Sequence, residues 1–185
     1  EILRCLVGSE MCIRDRDYVR SIPDFPEPGI IFRDVTSILQ DADGLQLAID
    51  EMQHFVEEVD CDVICGTESR GFIFGMPIAY NLHKPFVPIR KKGKLPLETV
   101  EESYDLEYGS ATIEMHKDSI KPGQKVVIID DLIATGGTVE ACAKMIERLG
   151  GEVTRIVFLM ELAGLKGREK LAKYDVKSVI RYDGK

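Results

Sequence analysis

The segment from Lys125 to Cys142, KVVIIDDLIATGGTVEAC, gathers residue types able to do chemistry between a strand-like run and a helix-like one. The apolar run VVII ends in two adjacent carboxylates, Asp130 and Asp131, followed by Ala134, Thr135, Gly136, Gly137 and Thr138. Paired glycines permit tight backbone conformations, so successive N–H groups can form an anion cradle at a helix start, where the helix dipole also favours negative charge. Thr135 and Thr138 can add hydroxyl donors to the same anion. A phosphate fits. The spacing matches neither G-x-G-x-x-G nor the lysine-bearing triphosphate loop, which disfavours dinucleotides and nucleoside triphosphates. Asp130 and Asp131 would repel a phosphate at contact distance, so their partners are neutral hydroxyls or a hydrated Mg²⁺ nearby. Phosphate at one end and a diol at the other describe a ribose phosphate. The competing reading makes the acids a helix cap and the glycines an ordinary turn.

The elements that must position these residues follow from periodicity. Residues 44–59 place Leu45, Ala48, Ile49, Met52, Phe55, Val56 and Val59 on one helical stripe. Strand-like runs follow at 62–66, 85–89, 111–116, 125–131, 153–161 and 177–182, with helical patterns at 69–82 and 137–149. Gly150 and Gly151 mark the stop of the second helix. VVII and IVFLM are continuously apolar, as central parallel strands covered on both faces should be, whereas ATIEMH alternates and reads as an edge or antiparallel strand. The fold class is α/β, a mainly parallel sheet flanked by helices. Ligands in such sheets collect beyond the carboxyl ends of the strands, which directs attention to residues 66–71, 90–108, 130–138 and 162–167.

At 185 residues and 44% hydrophobic, the chain suits one domain. Its 24 basic and 32 acidic residues give a formal charge of −8, which argues against a non-specific nucleic-acid grip. Five cysteines without a repeated C-x2-C pair point to a reducing, cytoplasmic setting, and Cys61 and Cys65 read as packed thiols. His54, His83 and His116 have no ligand-like spacing and read as structural. No apolar run reaches the roughly 18 residues that span a bilayer. Residues 1–16 lack signal-peptide order and stand apart from the domain expected over 17–185; an added helix and a sequence artefact fit them equally.

The run VVIIDDLIATGGT resembles the binding loop for 5-phosphoribosyl-1-diphosphate (PRPP) in the type I phosphoribosyltransferases. Residues 22–39, GTESRGFIFG (66–75), RKKGKLP (90–96), YDLEYG (104–109) and LKGREKL (165–171) are similar to the adenine-using branch of that family. The resemblance implies the type I fold, with a small N-terminal hood, mainly residues 17–40, over the base site and a lid at about 90–108. It implies purine salvage: adenine N9 attacks ribose C1 of PRPP, giving AMP and diphosphate, with Mg²⁺ as cofactor and a homodimer as the assembly. A transferase for 6-oxopurines and a non-catalytic PRPP-sensing regulator are the alternatives.

Residue by residue, the resemblance assigns the 5′-phosphate to Ala134, Thr135, Gly136, Gly137 and Thr138, and the ribose and Mg²⁺ shell to Asp130 and Asp131. Mg²⁺ is expected to be held mainly by substrate and water. Arg70 is placed at the diphosphate, where a guanidinium fork suits phosphate oxygens, with a surface salt bridge as the plain alternative. Arg90, Lys91 and Lys94 are implied as further phosphate contacts, Arg90 with a catalytic role; by charge alone the loop is equally a solvated basic turn. Residues 98–109 read as a mostly acidic, solvated loop, and only the resemblance singles out Glu107 to manage the purine proton and Tyr108 to close the lid. Pro28 and Gly29 force a turn after which Phe32 can offer a stacking face. Backbone groups around Ile31 and Arg33 are implied to read the adenine edge, with Leu132 closing the other side.

Overall fold

The computed structural model describes residues 18–105 and 109–184. Residues 1–16, Glu107 and Tyr108 therefore lie outside the described residues. A two-stranded antiparallel hairpin, β1 (Arg20–Pro23) and β2 (Ile31–Asp34), leads through the short helix α1 (Thr36–Leu39) into α2 (Ala42–Glu57). Then come β3 (Val63–Thr67), α3 (Arg70–Asn81), β4 (Phe86–Lys91), β5 (Thr99–Asp105), β6 (Ser110–His116), β7 (Lys125–Ile133), α4 (Gly137–Arg148) and β8 (Glu152–Leu162). A 3-10 turn (Ala163–Leu165), α5 (Gly167–Lys170) and β9 (Val176–Tyr182) complete the chain.

Seven strands form one sheet in the order β5-β6-β4-β3-β7-β8-β9. The five from β4 to β9 in that order run parallel, and β6 and β5 add an antiparallel edge. Alternation along β7 explains the continuous apolar run. Val126 and Ile128 face one core with Val139, Cys142, Met145 and Ile146 of α4. Val127 and Ile129 face the other with Met52 and Val56 of α2 and Phe74 and Ile78 of α3. Phe74 and Phe158 are fully buried, each contributing about 1.5–3 kcal/mol relative to exposure. Helix α2 begins at Ala42 because Asp41 caps it, accepting from the N–H groups of Asp43 and Gly44 at 3.0 and 2.9 Å. Cys65 and Cys142 are buried in the first core, where desolvation pushes both thiols up.

Two expectations need correction. Residues 98–105 are not a solvated loop: Thr99–Asp105 forms the edge strand β5, pairing along its whole length with β6. Strand β6, read as an edge or antiparallel strand, is antiparallel as expected and lies between β5 and β4. Strand β7 also runs to Ile133, beyond its expected end, because Leu132 and Ile133 keep pairing with Met160 and Glu161 of β8. The acid pair thus sits within a paired strand.

Candidate active site

The carboxyl ends of β3, β4 and β7 carry Arg70, Arg90, the acid pair and the glycine turn, with Arg70 against Asp131, while Ile31, Phe32 and Arg33 stand on the β1–β2 hairpin. At β7, Gly136 takes a left-handed φ of +78° and Gly137 opens α4. No side chain caps this helix, so its first-turn N–H groups lack the usual side-chain acceptor. An anion is the natural partner for such donors.

Asp130 and Asp131 differ in environment. Asp130 accepts the Asp131 N–H on Oδ1 at 2.9 Å. Burial, reinforced by the neighbouring Asp131 carboxylate, raises its pKa from 3.8 to about 8, and a hydrogen bond from Thr67 opposes the shift. Asp131 is 5% exposed, and burial raises it too, against the pull of Arg70. The Arg70 Nε lies 2.7 Å from Asp131 Oδ2, off the line of a hydrogen bond, which leaves that oxygen without a hydrogen-bond partner. Arg70 is not a plain surface pair: half-exposed, it begins α3 and pairs with a buried acid at the strand end where the diphosphate contact is expected.

Gly71 was not singled out from sequence. A Cβ there would meet Thr67 Oγ1 at 2.7 Å, the Ile129 carbonyl at 2.8 Å and Asp130 Oδ1 at 3.1 Å. Its missing side chain lets α3 approach the acid pair. The only signal was a glycine straight after the strand-end arginine.

The basic loop after β4 is held by carboxylates. Glu68 Oε2 accepts the Lys91 N–H at 3.0 Å and faces Arg90 Nε at 3.3 Å. The Lys91 amide holds the Glu68 carboxyl below its usual range, with Arg90 adding to the effect. Glu114 on β6, 3% exposed, accepts the Lys94 and Leu95 N–H groups on Oε1 at 2.7 and 2.8 Å. Burial pushes Glu114 up, but those amides, that of Gly93 and the Lys92 charge leave it below the ordinary value. Lys91 and Lys94 are exposed. Glu114 also escaped the sequence reading, since one acid in an alternating strand resembles any solvent-facing residue.

At the hairpin, Phe32 meets Phe25 edge to face, centroids 5.3 Å apart. Ile31 is exposed, and the Arg33 guanidinium lies 4.0 Å over the Tyr182 ring while Nη1 donates to Ser21 Oγ. With its side chain engaged there, Arg33 has only its backbone to offer a base. Leu132 is half-buried on β7 beside Asp131 and packs on the α2–α3 side of the sheet.

An acid pair near a strand end, a left-handed glycine and a helix with no side-chain cap together offer acceptors for hydroxyls and donors for an anion, and residues 35–183 match the phosphoribosyl transferase domain. The chain belongs to the phosphoribosyltransferase family. Within it, the chain is similar to adenine phosphoribosyltransferases: it is 75% identical to that of Lachnoclostridium phytofermentans over 169 residues, 91% of this chain and 97% of the relative. The crystal structure of the Thermoanaerobacter pseudethanolicus adenine phosphoribosyltransferase superposes with a TM-score of 0.88 at 48% identity, covering 92% of this chain and 99% of that one. The Saccharomyces cerevisiae enzyme, complexed with an imino-altritol bisphosphate and adenine, gives 0.85 at 38% identity over 92% and 98%.

Proposed function

We propose that the chain is an adenine phosphoribosyltransferase, a pentosyltransferase of purine salvage that converts adenine and PRPP to AMP and diphosphate. The observation that carries the reading is the continuity of β7 into the glycine turn. It fixes two carboxylates and a row of main-chain donors on one rigid strand-turn-helix unit, matching the diol and the phosphate of a single ligand. Kinship along nearly the whole described chain favours adenine over 6-oxopurines and catalysis over sensing.

In this reading the amides and hydroxyls of residues 134–138 grip the 5′-phosphate, and Asp130 and Asp131 take the ribose hydroxyls. The N9 lone pair forms a bond to C1 as the C1–O bond breaks and its electron pair leaves with diphosphate. Positive charge grows on the ribose ring, where the acid pair stabilises it. Burial and the Asp131 carboxylate raise Asp130, so the unliganded pair resists carrying two charges, with Arg70 against Asp131; the developing cation favours ionisation. Arg70, Arg90, Lys91 and Lys94 neutralise the leaving diphosphate, and Glu107 takes the purine proton while Tyr108 closes over the site. Ile31 and Arg33 read the base edge through their backbones, between Phe32 and Leu132.

The residues present fit Mg²⁺ in one particular way. Among the described residues no cluster of three or more His, Cys, Asp or Glu is placed to hold a metal. Two carboxylates, one already against Arg70, suit an ion that keeps waters and takes its other oxygens from substrate. Bound there, Mg²⁺ would supply charge neutralisation on the diphosphate, with Asp130 and Asp131 as its protein neighbours.

A homodimer and a cytoplasmic setting belong to the same proposal. Ile73, Met76 and Tyr80 line one exposed stripe of α3, Tyr80 at 85% exposure, which supports burial against a second copy. No described helix is long and apolar enough to cross a membrane. The deciding experiment measures AMP formation from PRPP, Mg²⁺ and adenine beside hypoxanthine and guanine. Adenine turnover alone is expected; turnover of only the other two would refute the reading.

A further inference from the structure

The segment LKGREKL has no role in the chemistry above, yet it touches the phosphate loop. A Cβ on Gly136 would meet the Gly167 carbonyl oxygen at 2.7 Å. Conversely, a Cβ on Gly167 would run into the Ala134 carbonyl oxygen, with Ile133 Cγ1 at 2.8 Å. Two backbones therefore pack directly, and the start of α5 forms the rear wall of the loop.

That wall is itself fastened. Arg168 donates from Nε to both Glu161 carboxylate oxygens at 2.8 Å, from Nη1 to the Val176 carbonyl at 2.7 Å and from Nη2 to Ser178 Oγ at 3.1 Å. Ser178 Oγ donates to Glu161 Oε2 at 2.8 Å. Glu161 is 3% exposed and lies beside Ile133 in the β7–β8 register, one residue before Ala134. Burial pushes its carboxyl up, but Arg168 and Ser178 hold it below the ordinary value. A buried carboxylate engaged in this way is strongly directional, and removing its partner strands a charge.

We infer that Glu161, Arg168 and Ser178 are positioning residues that brace Gly167 against Ala134 and Gly136 and so aim the N–H groups of the phosphate loop. The inference rests on residues 134–138 being the 5′-phosphate site. None of the three side chains needs to touch the phosphate, because the force passes through backbone contact.

The test is calorimetric binding of ribose 5-phosphate to the wild type and to Thr138→Val, Gly167→Ala and Arg168→Lys, together with KM for PRPP and for adenine. Gly167→Ala is expected to weaken ribose 5-phosphate binding and raise the PRPP KM about tenfold or more, leaving the adenine KM within about twofold, since small misplacements at a preorganised site have large effects. Arg168→Lys keeps the charge on Glu161 but loses the fork; about a threefold change in the same direction is expected, and it decides the matter if Gly167→Ala does not fold. Loss of affinity in Thr138→Val with wild-type binding in the other two would overturn the brace and leave the site standing. No change in any of the three would overturn both. An equal rise in both KM values with a lowered Tm would mark a purely structural role and also overturn the brace.

Discussion

The loop after β7 and the loop after β4 both face anions in the proposed mechanism, but they are built in opposite ways. The first offers main-chain donors, has a left-handed glycine at its centre and is backed by another backbone at Gly167. The second offers flexible side-chain cations, and two carboxylates, Glu68 and Glu114, fasten its amides from beneath. The contrast matches the fate of the two anions. A 5′-phosphate is present before and after transfer, so a rigid cradle serves throughout; diphosphate must be gripped and then released, which suits long side chains on a tethered loop.

Breaking the chemistry without disturbing either grip gives the largest expected effect. Glu107→Gln should lower kcat by roughly 10²- to 10⁴-fold, the usual range for a positioned proton-transfer group, with ribose 5-phosphate affinity unchanged by calorimetry. An unaltered kcat would remove its proposed role. Next comes the rigid loop itself. Gly136→Ala places a Cβ against the Gly167 carbonyl at a φ of +78°, and the PRPP KM should rise about 10- to 100-fold; a wild-type value would mean that the cradle yields easily.

The tethered loop should be more forgiving. Glu114→Gln retains an acceptor for the Lys94 and Leu95 amides but loses the charge, so a stability loss of about 1–2 kcal/mol in denaturant titration is expected, with only a few-fold rise in PRPP KM. The Glu114 carboxyl lies below its ordinary value in the folded chain, so its contribution is present above pH 4.5 and is lost as pH falls through the folded value. A KM change as large as that of Gly136→Ala would erase the contrast between the loops.

A separate readout, stability against pH rather than turnover, concerns the acid pair without ligand. Asp130 has its pKa raised from 3.8 to about 8 by burial and by Asp131, so the folded chain holds a proton that the unfolded chain has released. Stability should therefore fall as pH rises between those values and level off above them. Thermal melts of the wild type and Asp130→Asn across this range should show a steeper fall with pH in the former. Parallel curves would mean that the pair ionises without strain.

Much of the rigid loop was legible in the sequence. Central strands and a glycine turn are local patterns, and VVIIDDLIATGGT contains both. What escaped is tertiary. Gly71 and Gly167 matter through close approach to residues distant in the chain, and no local period announces that. Strand β5 was hidden because EESYD puts the adjacent half-buried acids Glu101 and Glu102 on opposite faces of an edge strand, which by composition resembles a solvated loop. Arg70 was placed correctly at the strand end, yet its pairing with Asp131 depends on how closely α3 approaches β7, a distance set by Gly71.

The hairpin of β1 and β2 pairs with no strand of the main sheet. Apart from Leu132, every residue proposed to choose the base lies on this clip, while every residue proposed to hold sugar and phosphate belongs to the sheet and its loops. In the proposed mechanism, choice of nucleophile is thus modular. A lineage, or an engineer, can exchange residues 20–34 and offer the same activated sugar to a different base without rebuilding the machine that activates it.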